Sequence, residues 1–263
     1  MLRKLLKYDL KWVYKVVAVF YILALIFAIL TRIFFSIENS LLFKIIGQIV
    51  NGAMISMLIS SLINCLMRSW VRFIHNVYKD ESYLTHTLPV EKKTIYLSKV
   101  LTAIICSFTT VLVAIGCLFI SYYSKANMEV LKVFLKLTAE SYDITVIGLL
   151  SIISVVIFLE ILFIILIGYA GIIIGHKSNR NKMLKSVILG IVLYLLTSTL
   201  TLAIIYIIGL FNQGVMNIIN TTDIVNVDAI KPVMIAGIAI YVVYNVTYYL
   251  VGKKQLEKGV NVD

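Results

Sequence analysis

The chain has 263 residues, of which 61% are hydrophobic and 14% charged, and its mean hydropathy is +0.99. A soluble domain has roughly 45–50% apolar and about 25% charged residues, so this composition excludes a water-soluble fold. The net charge of +11 comes from basic residues scattered beside the apolar runs. That distribution excludes a nucleic-acid partner and favours contact with membrane lipids.

Six apolar runs follow one another along the chain. A helix needs roughly 20 apolar residues to cross a hydrocarbon core about 30 Å thick. The predicted spans lie at about 13–35, 42–66, 100–123, 145–174, 187–211 and 233–251. The sequence thus predicts an all-α integral membrane protein, with residues 1–263 as one membrane domain and 252–263 as a tail. Pro89 and Pro232 are predicted to lie outside the spans, which would leave every span without a proline kink.

Residues 1–12 have an amphipathic pattern. Leucines at positions 2, 5, 6 and 10 fall at helical spacing, while arginine and lysine occupy the other face. This pattern predicts an interfacial helix lying along the cytoplasmic leaflet. The alternative is that the segment simply extends the first span and carries charge that sets topology.

The longest cytoplasmic loop is predicted between spans two and three, from about Arg68 to Lys99. It contains KDESYLTHTLPVEKKTIYLSK, in which an acidic pair precedes a short amphipathic stretch that ends at Pro89. This order of residues predicts a short helix or turn there, followed by a new helix.

One surface of that stretch is apolar. Leu84 and Leu88 are four residues apart and lie next to Tyr83, so a helix would bring them together as a compact knob. Such a knob suits docking of another protein. Packing against the membrane or against neighbouring helix ends is an equal alternative.

The fourth span contains two features of interest. Gly168, Gly171 and Gly175 are spaced for close helix contact, with a hinge as the alternative. Glu160 lies deep in the span, where a carboxylate is costly, so its side chain is expected to face the bundle interior. It would contact a substrate or a proton, or form a structural hydrogen bond to the polar residues at 197–201 in span five.

Motifs for catalysis are missing from the sequence. No G-x-x-x-x-G-K-S/T phosphate loop is present, so the chain cannot bind and hydrolyse ATP in the usual way. The three histidines, His75, His86 and His176, lie at loops or span ends without a zinc-binding spacing. We therefore expect no catalytic residue, cofactor or metal, and we expect the three cysteines inside apolar runs to be packing residues.

The run D-E-x-Y-L-T-x-T-L-P-V, followed by Ser98 and Lys99 at the head of the third span, resembles permease subunits of bacterial ABC type-2 exporters. The resemblance extends to the number of spans, the basic N-terminus and the position of the largest cytoplasmic loop. It implies a coupling helix that sits in a groove of a separate ATPase subunit. The residues at that contact would be Tyr83, Leu84, Leu88 and Pro89.

The same resemblance implies that two six-span subunits, in a homodimer or heterodimer, form the transport path. It also implies short re-entrant helices within residues 212–231. The expected function is export of an amphiphilic or hydrophobic compound. Two alternatives are a membrane scaffold or sensor subunit that holds a cytoplasmic partner, and a secondary transporter coupled to protons through Glu160.

The distribution of lysine and arginine predicts the orientation, because short basic loops are retained in the cytoplasm. Five lie before the first span, six between spans two and three, four between spans four and five, and three in the tail; six lie on the other side. Both termini are therefore predicted to be cytoplasmic, and the resemblance implies that the membrane is a bacterial plasma membrane. We expect alkaline phosphatase to be active when fused at Asn220 and inactive at Gly259, and the reverse result would overturn this orientation.

Overall fold

The structure is a computed structural model that describes residues 1–37, 40–220 and 227–259. Within those residues, the regular secondary structure consists of nine helices. They are α1 (Leu2–Phe35), α2 (Leu41–Val77), α3 (Ser82–Thr87), α4 (Lys92–Tyr122), α5 (Lys125–Ser141), α6 (Val146–Gly175), α7 (Lys182–Phe211), α8 (Gln213–Asn220) and α9 (Val227–Glu257). The predicted all-α class is confirmed for this part of the chain.

Six of the described helices, α1, α2, α4, α6, α7 and α9, are long and apolar enough to cross a membrane. They correspond to the six predicted spans, and the protein is a multi-pass membrane protein. Most of these helices extend well beyond the apolar run that predicted them. The predicted loop from Arg68 to Lys99 is consequently too long, because α2 continues to Val77 and α4 begins at Lys92. The charged side chains in these extensions, Arg72 of α2 and Lys99 of α4, both pair with Asp9 of α1.

The first helix is continuous from Leu2 to Phe35, with no break near residue 12. This continuity matches the alternative in which the N-terminal segment extends the first span. Asp9 and Val13 on this part of the helix are buried, so one face packs on other helices. An interfacial position for residues 1–12 stays a prediction.

The prediction that both prolines lie outside the spans is wrong for Pro232, which lies inside α9. This helix begins at Val227, so the proline is near its N-terminal end. Pro232 is the sixth residue of the helix, just past the first turn in which a proline is readily tolerated, and it removes one intrahelical hydrogen bond there.

Two described helices, α5 and α8, have no counterpart among the apolar runs. The mean hydropathy of α5 is lowered by its lysines and glutamates, so a search for apolar runs misses it. In α8, Val215 is fully buried, and the helix packs on the C-terminal end of α7 near Gly209. Part of the region where re-entrant helices were predicted, residues 221–226, lies outside the described residues.

The helices pack into two units, one formed by Met1–Val130 and the other beginning at Leu131. In unit 1, α1 packs on α2 and α4 through a stripe of small and branched side chains at three- and four-residue spacing. The stripe consists of Val13, Val17, Ala24 and Ala28. All three cysteines of the chain are buried and free, and they serve as packing residues.

In unit 2, α6 packs on α7 and α9, and small residues allow a close approach to α7. A Cβ atom built on Gly171 would lie 2.8 Å from the Cα of Gly190, and one on Gly175 would lie 2.5 Å from the Cα of Ser186. These two glycines therefore form a helix contact, which is the packing role that their spacing predicted.

This contact predicts a loss of stability when a methyl group is added. Gly175→Ala places Cβ against backbone that cannot shift without separating α6 from α7, and overpacking of this kind costs about 1–3 kcal/mol. Gly190→Ala is the matched control, because its Cβ would meet nothing within 4 Å. Thermal unfolding of the purified protein in detergent should show a lower midpoint for Gly175→Ala only.

Candidate functional site

The short helix α3 lies between α2 and α4 and has one exposed apolar side. Tyr83 and Leu84 are each 72% exposed, and Leu88 is 42% exposed. Pro89 is also exposed. The structure thus brings the four residues predicted for partner binding together on one surface of unit 1, which we call the α3 knob.

The opposite side of α3 is held firmly by polar contacts. The carboxylate of Glu81, the residue before α3, accepts two hydrogen bonds from Nη1 of Arg72, at 2.8 and 2.9 Å. The hydroxyl of Thr85 donates to the carbonyl of Glu81 at 2.9 Å, and the ring of His86 contacts the carbonyl of Val77 at 3.1 Å. The helix is therefore fixed to the end of α2.

Behind α3 lies a group of buried charges centred on Asp9 of α1, which is 2% exposed. Its Oδ1 atom lies 2.7 Å from Nζ of Lys99 in α4 and 3.0 Å from Nε of Arg72 in α2. Nζ of Lys99 also donates to Oδ1 of Asn76 at 2.5 Å, and Asn76 donates to Glu81 at 2.5 Å. We call Asp9, Arg72, Asn76, Glu81 and Lys99 the ion cluster.

The ion cluster contains two carboxylates and two cations, so its net charge is zero. Asp9 and Lys99 are almost fully buried, and removing one partner from such a pair leaves an uncompensated charge. The bond between Glu81 and Arg72 contributes less to stability, because 43% of the Glu81 side chain is exposed and solvent screens this bond. The ring of Trp12 lies 4.0 Å from the guanidinium of Arg68 and 5.4 Å from that of Arg72, which adds a cation–π contribution.

A groove of about 270 Å³ lies between α1 and α3, above the ion cluster. Its walls include the apolar side chains of Leu5, Leu84, Leu88 and Ile95. Two of these belong to the α3 knob, so the knob forms one wall of a surface that α1 completes.

Tyr78 joins α2 to the segment that leads into α3. Burial raises the pKa of its hydroxyl, so the side chain stays neutral at physiological pH. Its ring packs edge-on against Phe73, with centroids 6.1 Å apart. Tyr78 therefore belongs to the support of α3 rather than to a reactive site.

Sequence reasoning missed the ion cluster. It treated Arg72 and Lys99 only as charges that set topology, although they lie 63 and 90 residues from Asp9 and bond to it. One signal was present in the sequence: Asp9 lies four residues before Val13 and eight before Val17, on the apolar stripe of α1. A lone acidic residue on such a stripe needs a buried cation.

A second polar group lies in unit 2, around Glu160. This residue is half-buried, and its side chain is a close neighbour of Tyr241 in α9. The expected partners at 197–201 bond to Tyr244 instead: its hydroxyl donates to the carbonyl of Thr197 at 3.2 Å and accepts from Thr201 at 3.3 Å.

The three histidines lie in separate places. His75 is 3.6 Å from Asp80, and the buried His176 contacts the hydroxyl of Ser186 at 3.0 Å. Within the described part of the chain, no three His, Cys, Asp or Glu side chains come together in a way that could hold a metal ion.

Comparison of the chain with protein-family models, with curated proteins and with solved structures finds no match.

The ion cluster predicts a strong effect for loss of its central carboxylate. Asp9→Ala leaves Lys99 and Arg72 as buried neighbouring cations, which should cost about 3–5 kcal/mol. Adding Lys99→Met to Asp9→Ala should restore part of this loss, because it removes one of the two cations. The midpoint of thermal unfolding in detergent measures both effects.

The control for this experiment is Lys136→Ala, which breaks an exposed pair with Glu140 at 3.7 Å. Exposed pairs of this type contribute at most about 0.5 kcal/mol. If Asp9→Ala and Lys136→Ala shift the midpoint equally, the ion cluster does not hold the helices together.

Proposed function

We propose that this protein is the permease subunit of an ATP-driven ABC exporter and forms the translocation path for an amphiphilic or hydrophobic compound. The observation that carries the proposal is the α3 knob: an exposed apolar surface on a helix that the ion cluster ties to α1, α2 and α4. In this function a separate ATPase subunit binds the knob from the cytoplasm. Both termini are then cytoplasmic, and the membrane is the bacterial plasma membrane.

Coupling to an ATPase requires a surface for the partner and a rigid link to the spans. The α3 knob provides the surface, since Tyr83 and Leu84 are exposed and bury apolar area only when a partner covers them. The link is the pair of hydrogen bonds from Nη1 of Arg72 to Glu81, continued through Asp9 to Lys99. A displacement of α3 would therefore move three long helices together.

The energy for transport must come from another chain, because the sequence has no phosphate-binding loop. The resemblance supports the assignment of that chain as an ABC ATPase. It also supports a dimer of permease subunits, either homomeric or heteromeric, and a re-entrant role for α8 at the outer end of the path.

A scaffold or sensor subunit would use the same knob but would need no polar group deep in a span. The half-buried carboxylate of Glu160, next to Tyr241, favours the permease. Coupling to protons through Glu160 is the other alternative, and transport that stops on loss of the proton gradient but not of ATP would support it.

The α3 knob is tested by replacing Leu84 and Leu88 with aspartate. Both side chains are exposed in the isolated chain, so the double variant should fold and insert normally. In a complex the two charges would be desolvated, which should cost at least about 2 kcal/mol of binding free energy. The measurement is the amount of ABC ATPase that co-purifies from membranes of the source organism, identified by peptides that contain its phosphate-binding loop.

Two control variants accompany this experiment. Tyr83→Phe keeps the ring, and Lys92→Ala removes a charge outside the knob that contributes at most about 1 kcal/mol. Both should retain the ATPase. If Leu84→Asp with Leu88→Asp co-purifies the ATPase at the wild-type level, the knob is not the docking element.

A further inference from the structure

The polar side chains of unit 2 lie at the same position along their helices. Glu160 is midway along α6, Thr197 is midway along α7, and Tyr241 is midway along α9. For helices that cross a bilayer, these positions correspond to the middle of the hydrocarbon core. Polar and ionisable groups at that depth are costly and mark ligand or ion pathways.

A cavity of about 260 Å³ lies beside these residues. The residues that line it include the aromatic side chains of Phe163, Tyr241 and Tyr244 and the hydroxyl-bearing side chains of Thr197, Ser198 and Thr201. Phe163 is 3% exposed, and its ring centroid lies 5.4 Å from that of Tyr241 and 6.0 Å from that of Tyr244. The rings are thus packed against one another and form a fixed wall.

Glu160 lies beside this cavity, because it is one helical turn before Phe163, which lines the cavity, and its side chain is a close neighbour of Tyr241, which also lines it. Among the described residues, no lysine, arginine or histidine forms an ion pair with Glu160. The region therefore has an acidic group, aromatic rings and hydroxyl groups, but no cation from the described residues pairs with the acid.

We infer that this cavity binds the cationic head of an amphiphile, either a quaternary ammonium or a protonated amine. Ring faces attract such cations through their quadrupoles, and the carboxylate supplies the opposite charge. The cavity volume fits a small head group and not a whole drug-sized molecule, because sites for drug-sized molecules measure about 300–1,000 Å³. The apolar tail would remain outside, along exposed side chains such as Leu202, which also borders the cavity.

The inference names the substrate class of the proposed permease, and it rests on the proposed function only for the claim that the bound compound is transported. Binding itself needs no ATPase and can be measured on the purified chain. If the cavity does not bind the cation, the co-purification experiment on the α3 knob is unaffected. If the knob does not bind an ATPase, the binding experiment on the cavity is equally unaffected.

The experiment measures binding of radiolabelled dodecyltrimethylammonium to the purified protein in nanodiscs of zwitterionic lipid. Glu160→Gln removes the charge and keeps the size of the side chain, and we expect it to weaken binding about tenfold or more. Tyr241→Leu removes a ring and should weaken binding similarly, whereas Tyr241→Phe keeps the ring and should stay within about threefold of wild type.

Glu140→Gln is the matched control, because it removes the same charge from an exposed position in unit 2. Its affinity should equal that of the wild type, and the thermal midpoint of every variant shows whether it is folded. Tetramethylammonium should compete with the label, while an uncharged dodecyl ether should not. Equal binding by wild type and folded Glu160→Gln, or equal competition by the uncharged amphiphile, would overturn the inference.

Discussion

The packing of unit 1 depends on a single buried carboxylate. Asp9 lies on the face of α1 that packs on other helices, and in an apolar environment its charge requires cations at hydrogen-bond distance. Lys99 of α4 and Arg72 of α2 meet that requirement, so one side chain fixes the relative position of three helices. Arg72 then extends the arrangement to Glu81 and hence to α3. A displacement of any one of these helices separates a charge from its partner, which makes this end of the unit rigid and the orientation of α3 definite.

Unit 2 is built differently. Its helices approach closely where Gly171 and Gly175 of α6 meet α7, as is common where helices associate in lipid by van der Waals packing. Midway along the same helix, Glu160 and Phe163 replace that tight contact by rings, hydroxyl groups and a cavity. The proposed binding site needs both kinds of contact. The tight contact at the glycines keeps α6 and α7 in place, and the open, polar region midway along α6 leaves room for a ligand.

Hydrophobicity alone predicted the class of the fold and its six spans, because long apolar runs have few other interpretations. It did not predict where helices end. Arg72 and Lys99 look like loop residues in the sequence, yet they continue their helices because Asp9 neutralises them, and that pairing depends on contacts between residues far apart in the chain. The depth of Glu160 was readable from the sequence, whereas its partner was not. A threonine on α7 was as reasonable as Tyr241 on α9 until the packing of α9 on α6 was known.

The lengths of α1 and α2 have a geometric consequence. Their apolar runs end near residues 13 and 66, but the helices continue to Leu2 and Val77, about 17 Å further at 1.5 Å per residue. The extensions are packed together by the ion cluster, and if they leave the membrane rather than lie along its surface, they form a short stalk with α3 at its end. In the proposed complex this stalk sets a stand-off distance between the partner and the lipid head groups. A bulky soluble subunit could then bind α3 without displacing lipid, and the stalk would act as a lever arm on the spans beneath it.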